Sequence, residues 1–203
     1  MNTAERIVEA YFRHCRGCFT IPDVKVINGN NRQFDLLACN LTNGLIYHVE
    51  TSVVPSGRYF PNRLPDLLSV FQKKFFGLPE DRQNVDYIPS EDDRDYQKVI
   101  QTYAAYGLNP ALIVRVWCSW ALADYGRTEV EIRDYFQHRC VSGDRYELLE
   151  FRDKVMPELS AKIGTANYED DALRTFSFFA ERDYQNGRCS DAGNTIEHSV
   201  EQG

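Results

Sequence analysis

Apolar residues recur at helical spacing near the N-terminus, where Ala4, Ile7, Val8, Tyr11, Phe12 and Cys15 share one face of a helix over residues 3–15 that Gly17 ends. The period then drops to two. A short strand over Val24–Ile27 precedes two apolar runs, Phe34–Cys39 and Leu45–Val54, separated by Thr42-Asn43-Gly44. Asn-Gly between apolar runs predicts a hairpin. After the break Pro55-Ser56-Gly57, the helical period returns over Leu64–Phe76, with Leu67, Leu68, Phe71 and Phe75 on one side and Pro79 closing it. A polar stretch over 80–95 leads into a helix over Asp92–Tyr106, stopped by Gly107 and Pro110. The β-branched and aromatic run Ala111–Trp120 predicts another buried strand. Further helices are predicted over Thr128–Arg139, over Tyr146–Ile163 with a bend or break near Pro157, and over Glu169–Asp183.

This order predicts an α/β fold, a mixed β-sheet flanked by helices with a helical C-terminal extension, as one domain over residues 1–185. From Asn186 to Gly203 the chain is small and polar without apolar periodicity, which predicts a disordered tail.

The hairpin carries the chemistry. With Asn43 and Gly44 as a two-residue loop, Asp35 lies opposite Ser52 and Glu50 opposite Leu37. Asp35, Leu37, Cys39, Ile46, His48, Glu50, Ser52 and Val54 then share one face. Phe34, Leu36, Ala38, Leu45, Tyr47, Val49, Thr51 and Val53 form the other, the core face. Asp35 and Glu50 become diagonal neighbours, roughly 7 to 8 Å apart at their α carbons, within reach of one divalent cation. Two acids in a buried sheet are costly unless something binds them, and two binders are open: a metal ion, or arginines in structural ion pairs.

Composition narrows the setting. The 203 residues carry a formal net charge of -7, which argues against coating nucleic acid by overall attraction but leaves room for a local basic groove. The six cysteines are spread too thinly for a secreted disulfide framework. No apolar run of about 18 residues spans a bilayer and no signal-peptide pattern opens the chain, so a soluble cytoplasmic protein that does not engage membranes is expected.

Other constellations are weaker. Cys15-Arg16-Gly17-Cys18, beside His14, has zinc or redox half-site spacing, but no second half follows, and His138 and Cys140 are not brought to it by anything in the sequence. Arg58 and Arg63 follow the second hairpin strand and could meet phosphate, or remain solvated. Trp117 and Trp120, near Arg115, read as core unless exposed. Neither a Gly-rich phosphate loop nor a Gly-x-Ser-x-Gly elbow is present.

Ala4-Glu5-Arg6-Ile7-Val8, Phe34-Asp35-Leu36-Leu37-Ala38 and Tyr47-His48-Val49-Glu50-Thr51-Ser52 together resemble the PD-(D/E)XK nuclease superfamily, in particular its Holliday junction resolvase and restriction-endonuclease-like branches. In that family an N-terminal helix carries a glutamate, one hairpin strand the metal-binding Asp, and the next strand Glu-x-Lys. The resemblance covers about the first 55 residues. It implies a restriction-endonuclease-like core, hydrolysis of DNA phosphodiesters, and magnesium or manganese held by Asp35 and Glu50. Glu5 matches the helix glutamate and lies at the edge of the apolar stripe, whereas Glu9 turns further toward solvent; Glu5 also fits a capping box with Asn2.

One position departs: Ser52 stands where the family has its lysine. Either another lysine substitutes or catalysis is lost, leaving a module that binds nucleic acid or protein. Lys74 is the best substitute, because it falls within the stripe of Leu67, Phe71 and Phe75 while Lys73 falls outside; Lys25 is weaker, and a lysine lying along the helix edge is the bland alternative. Catalytic candidates are thus Glu5, Asp35, Glu50 and Lys74, with His48, Ser52 and Arg58 as substrate contacts. DNA is the expected partner, and a homodimer is compatible with the sequence.

Overall fold

A computed structural model describes residues 1–54, 64–78, 90, 92–139, 145–166, 168–182 and 185. Arg58, Arg63, the Pro55 break, Pro79, Cys140, the side chain of His138 and the tail from Asn186 lie outside the described residues.

The chain runs α1 (Thr3–His14), β1 (Phe19–Lys25), β2 (Gln33–Asn40), β3 (Leu45–Ser52), α2 (Leu64–Phe76), α3 (Arg94–Ala105), β4 (Ile113–Ser119), α4 (Tyr125–Arg139), β5 (Tyr146–Glu150) and α5 (Met156–Ile163), then a last helix, α6, over 171–182. The five strands lie in sequence order in one mixed sheet. β1, β2 and β3 are an antiparallel meander, and β4 and β5 run parallel to β3. The fold is therefore α/β, a mixed sheet with helices on both faces.

Capping explains where the helices start. Asn2 accepts the Glu5 N–H at 3.0 Å while Glu5 returns a carboxylate to the Asn2 N–H at 2.7 Å, the reciprocal box that begins α1. Asp93 accepts from the N–H groups of Asp95 and Tyr96 and begins α3.

Two cores sandwich the sheet. On one face α1, α5 and α6 bring Val8, Tyr11, Phe12, Leu159 and Phe176 onto Leu36, Ala38, Val49 and Val116. On the other, α2 and α3 bring Phe71, Phe75, Val99 and Tyr103 onto Leu37, Ile113 and Trp117. Each fully buried Leu, Val or Phe contributes about 1.5 to 3 kcal/mol.

Four expectations change. The hairpin pairs Asn40 with Leu45, so the loop has four residues rather than two. Asn40 accommodates it by accepting the Thr42 and Asn43 N–H groups, and Gly44 supplies the left-handed φ of +71°. The register moves by two residues, an even number, so the side chains other than Phe34 keep their predicted faces. Continued one pair past Leu36–Val49, the register brings Asp35 to Glu50 instead of Ser52.

Phe34, placed with Leu36 on the first core, lies on the other side with its ring 4.1 Å from that of His48. The Asp35 carboxylate takes the Thr51 N–H at 2.7 Å where a ladder carbonyl would sit, and β2 parts from β3 there. β1 begins at Phe19, not Val24. As an edge strand it tolerates Pro22 and exposes Phe19 and Ile21, which hides its apolar signal.

Tyr146–Glu150 is a strand, not the start of a helix. Leu148 and Leu149 enter opposite cores, and only a sheet covered on both faces buries adjacent leucines in this way. One π-helical turn over Phe151–Val155 follows. Pro157 then sits in the first turn of α5, where its missing N–H costs nothing.

Candidate functional site

Asp35 and Glu50 meet at the end of the hairpin away from its loop, and α2 delivers a lysine between them. The Lys74 ammonium lies 2.6 Å from Glu50 Oε2 and 3.7 Å from Asp35 Oδ1. The helical stripe explains its direction: Phe71 and Phe75 are buried against the sheet, Lys74 is turned in beside them, and Lys73 is exposed. The other oxygen of each acid is already engaged. Asp35 Oδ2 accepts the Thr51 N–H, and Glu50 Oε1 lies 2.9 Å from His48 Nε2.

Electrostatics show how poorly the two acids tolerate the position. Burial, then the neighbouring Glu50 charge, raises the pKa of Asp35 to about 6. Burial raises Glu50 to about 7, with Lys74 acting in the opposite direction and Arg32 more weakly so. Burial works against the charge of Lys74, but Glu50 and Asp35 outweigh it and its pKa rises. One ammonium therefore contacts two carboxylates, one of which, Glu50, is wholly buried.

His48 is also wholly buried. Its Nδ1 lies 2.6 Å from the Tyr103 hydroxyl, so both ring nitrogens are engaged and no ring surface is left for a substrate. Burial first, then the charge of Arg115, holds its pKa well below the usual imidazole value. A neutral ring satisfies both neighbours in one tautomer, with Nε2–H donating to the Glu50 carboxylate and Nδ1 accepting from Tyr103.

A cleft of about 350 Å³ opens beside Lys74, lined by Thr51, Ser52, Ser69, Val70, Lys73, Lys74 and Trp117. Two ammonium groups and three hydroxyls, with no carboxylate among the described residues of its walls, suit an anion. The Trp117 indole N–H has no acceptor among the described residues. Ser52 is exposed at the mouth, one strand position beyond the Thr51 N–H that Asp35 holds.

Glu5 takes the capping role with Asn2. It closes the α1 box, and its charge still acts on Lys74. Glu9 is half-buried, accepting the Thr20 hydroxyl at 2.8 Å, rather than turned to solvent.

Of the remaining described candidates Trp117 lines the cleft, and the others have no direct contact with the acid pair. Cys15 and Cys18 are free, burial raises both thiols (Cys18 to about 11), and His14 packs on Tyr168. Trp117 is core, Trp120 stacks on Phe151, and Arg115 is buried with a bond to the Tyr96 hydroxyl. Lys25 bonds Gln33 at the sheet edge.

Two participants escaped the sequence. Tyr103 lies in the apolar stripe of α3, where a buried hydroxyl demanding a partner was the available signal. Arg32 packs over Gly77, donates to its carbonyl at 2.9 Å, and has its charge felt at Glu50. A side chain at Gly77 would collide with that guanidinium, and nothing in the local sequence predicts the approach.

Among the described residues no three His, Cys, Asp or Glu side chains gather as a metal site. What Asp35 and Glu50 offer is narrower: one oxygen each, turned to a point where a cation, the Lys74 ammonium, already binds. Hard carboxylate oxygens suit magnesium or manganese, and magnesium commonly takes only one or two protein carboxylates, completing its shell with water and phosphate oxygens. The donor set fits such an ion. No family model, curated protein or solved structure matches this chain, and no helix among the described residues is long and apolar enough to cross a membrane.

Proposed function

We propose that the chain is a magnesium- or manganese-dependent nuclease of the PD-(D/E)XK kind, hydrolysing DNA phosphodiester bonds, with its mixed sheet as a restriction-endonuclease-like core. The observation that supports this most is the contact of Lys74 with both Asp35 and Glu50. A lysine missing from position 52 is thereby supplied from α2 to the same pair of acids.

Asp35 and Glu50 would hold the metal ion, which when bound polarises a phosphoryl oxygen and lowers the pKa of a bound water. The chain's own groups do the rest. Lys74 belongs at once to the acid pair and to the cleft wall, so its charge is available to the water or to a phosphate oxygen as negative charge develops. Ser52, Thr51, Ser69 and Lys73 offer hydroxyl and ammonium donors to the DNA backbone along the cleft. Glu5, acting on Lys74, helps to keep that ammonium protonated.

Cleavage of plasmid and branched DNA tests the reading. The wild type is expected to cut with magnesium or manganese, and Asp35→Ala, Glu50→Ala and Lys74→Ala are each expected to lower the rate by at least about 100-fold, the scale of losing one preorganised electrostatic contact. Metal-dependent cutting that survives Glu50→Ala would falsify the assignment. A second reading, a binding module of the same fold without catalysis, draws on Ser52 itself, whose hydroxyl brings no charge. Metal binding by the wild type with no cleavage of either DNA would select it.

A further inference from the structure

We infer that Tyr103 and His48 are positioning residues for Glu50, holding its Oε1 so that Oε2 is aimed at the cation point shared with Asp35. The inference rests on the metal-site reading above and adds two residues to it. The chain of contacts is continuous: Tyr103 hydroxyl to His48 Nδ1 at 2.6 Å, His48 Nε2 to Glu50 Oε1 at 2.9 Å, and Glu50 Oε2 to the Lys74 ammonium at 2.6 Å.

Its direction follows from the last acceptor. A carboxylate oxygen only accepts, so His48 Nε2 carries the proton, Nδ1 is left as acceptor, and the Tyr103 hydroxyl donates to it. Packing removes the remaining freedom. The imidazole sits against Phe34, with ring centres 4.1 Å apart, and meets the Phe75 ring nearly edge-on at 5.1 Å. Neither His48 nor Tyr103 has measurable exposure, so water does not compete for these bonds. A buried polar chain of this kind is a poor way to fill a core, since apolar residues of similar volume do so without desolvation cost. Its end on Glu50, with the second oxygen of that carboxylate at the site, gives it a use: outer partners of a metal-binding carboxylate set its orientation and typically change metal affinity 10- to 100-fold.

Calorimetric titration with magnesium alone and manganese alone, beside thermal unfolding, provides the test. Tyr103→Phe removes one oxygen and is expected to weaken metal binding about 10-fold, and to lower kcat for DNA while KM holds. His48→Leu is expected to weaken binding further, and His48→Gln, whose amide N–H can still reach Oε1, to recover part of the loss. If Tyr103→Phe lowers Tm but binds metal as the wild type does, the two residues are merely structural and the inference is overturned. If the wild type itself binds neither metal, the metal-site reading falls and takes the inference with it, a result distinct from equal binding by wild type and variant. Should His48→Leu fail to fold, Tyr103→Phe decides alone.

Discussion

Two ion clusters, each at least partly buried, sit on this sheet, and they are balanced differently. Arg16, just after α1, forms a two-pronged pair with Glu147 on β5, while its guanidinium lies over the rings of Tyr11, Phe12 and Tyr47 at 5.0 to 5.6 Å. Burial opposes its charge and Glu147 more than compensates, so the Arg16 pKa rises. One cation meets one anion, and every donor aimed at the carboxylate has an acceptor. At Asp35 and Glu50 a single ammonium among the described residues contacts two acids, and both acids are pushed up in pKa by their burial. A pair that exists to hold the fold together reaches balance. Among the described residues the acid pair stops short of it, which is the state the proposed metal site would need.

Breaking the balanced cluster produces the largest change in stability. Arg16→Ala leaves Glu147 in a partly buried place and strips three aromatic rings of their cation, at an expected cost of about 2 to 3 kcal/mol in chemical denaturation. Under the proposed function, DNA cleavage per folded molecule is expected to stay at the wild-type level; a loss there would tie Arg16 to the site and dissolve the contrast.

Asp35→Asn has the opposite sign. The folded-state pKa of Asp35, about 6, lies above its ordinary 3.8, so the native state holds the proton more tightly than the unfolded chain does. Ionisation therefore destabilises the fold progressively as pH rises from about 4 to 6, and fully above that. The amide can still accept the Thr51 N–H. At pH 8 the variant is expected to be more stable than the wild type by about 1 to 2 kcal/mol, with the gain vanishing near pH 4. A gain that is the same at both pH values would remove the electrostatic explanation.

A divalent cation gives the smallest effect. Magnesium at ten times its Kd is expected to stabilise the wild type by about 1.4 kcal/mol at pH 8, and Asp35→Ala by much less. Equal stabilisation of both would place the ion elsewhere on the surface.

Much of the site was readable from residue order. Period-two alternation put Asp35, His48 and Glu50 on one face, and an error of two residues in register left that intact because strand faces repeat every two. Helical periodicity turned Lys74 inward and Lys73 outward. The pattern misled where burial was two-sided or absent. Leu148 and Leu149, adjacent and both buried, imitate a helix, and Phe19 and Ile21 on the sheet edge lack the cover that would have marked a strand.

The sequence by itself determined most of the elements and, in the hairpin and α2, the way most side chains leave them, since both follow from backbone periods of two and 3.6 residues. Only the tertiary structure decided that Lys74 from α2, Tyr103 from α3 and Arg32 from the β1–β2 connection converge on Glu50. Where a helix docks on a sheet is settled by how two apolar surfaces exclude water and interlock, a property of both surfaces together that no local pattern encodes.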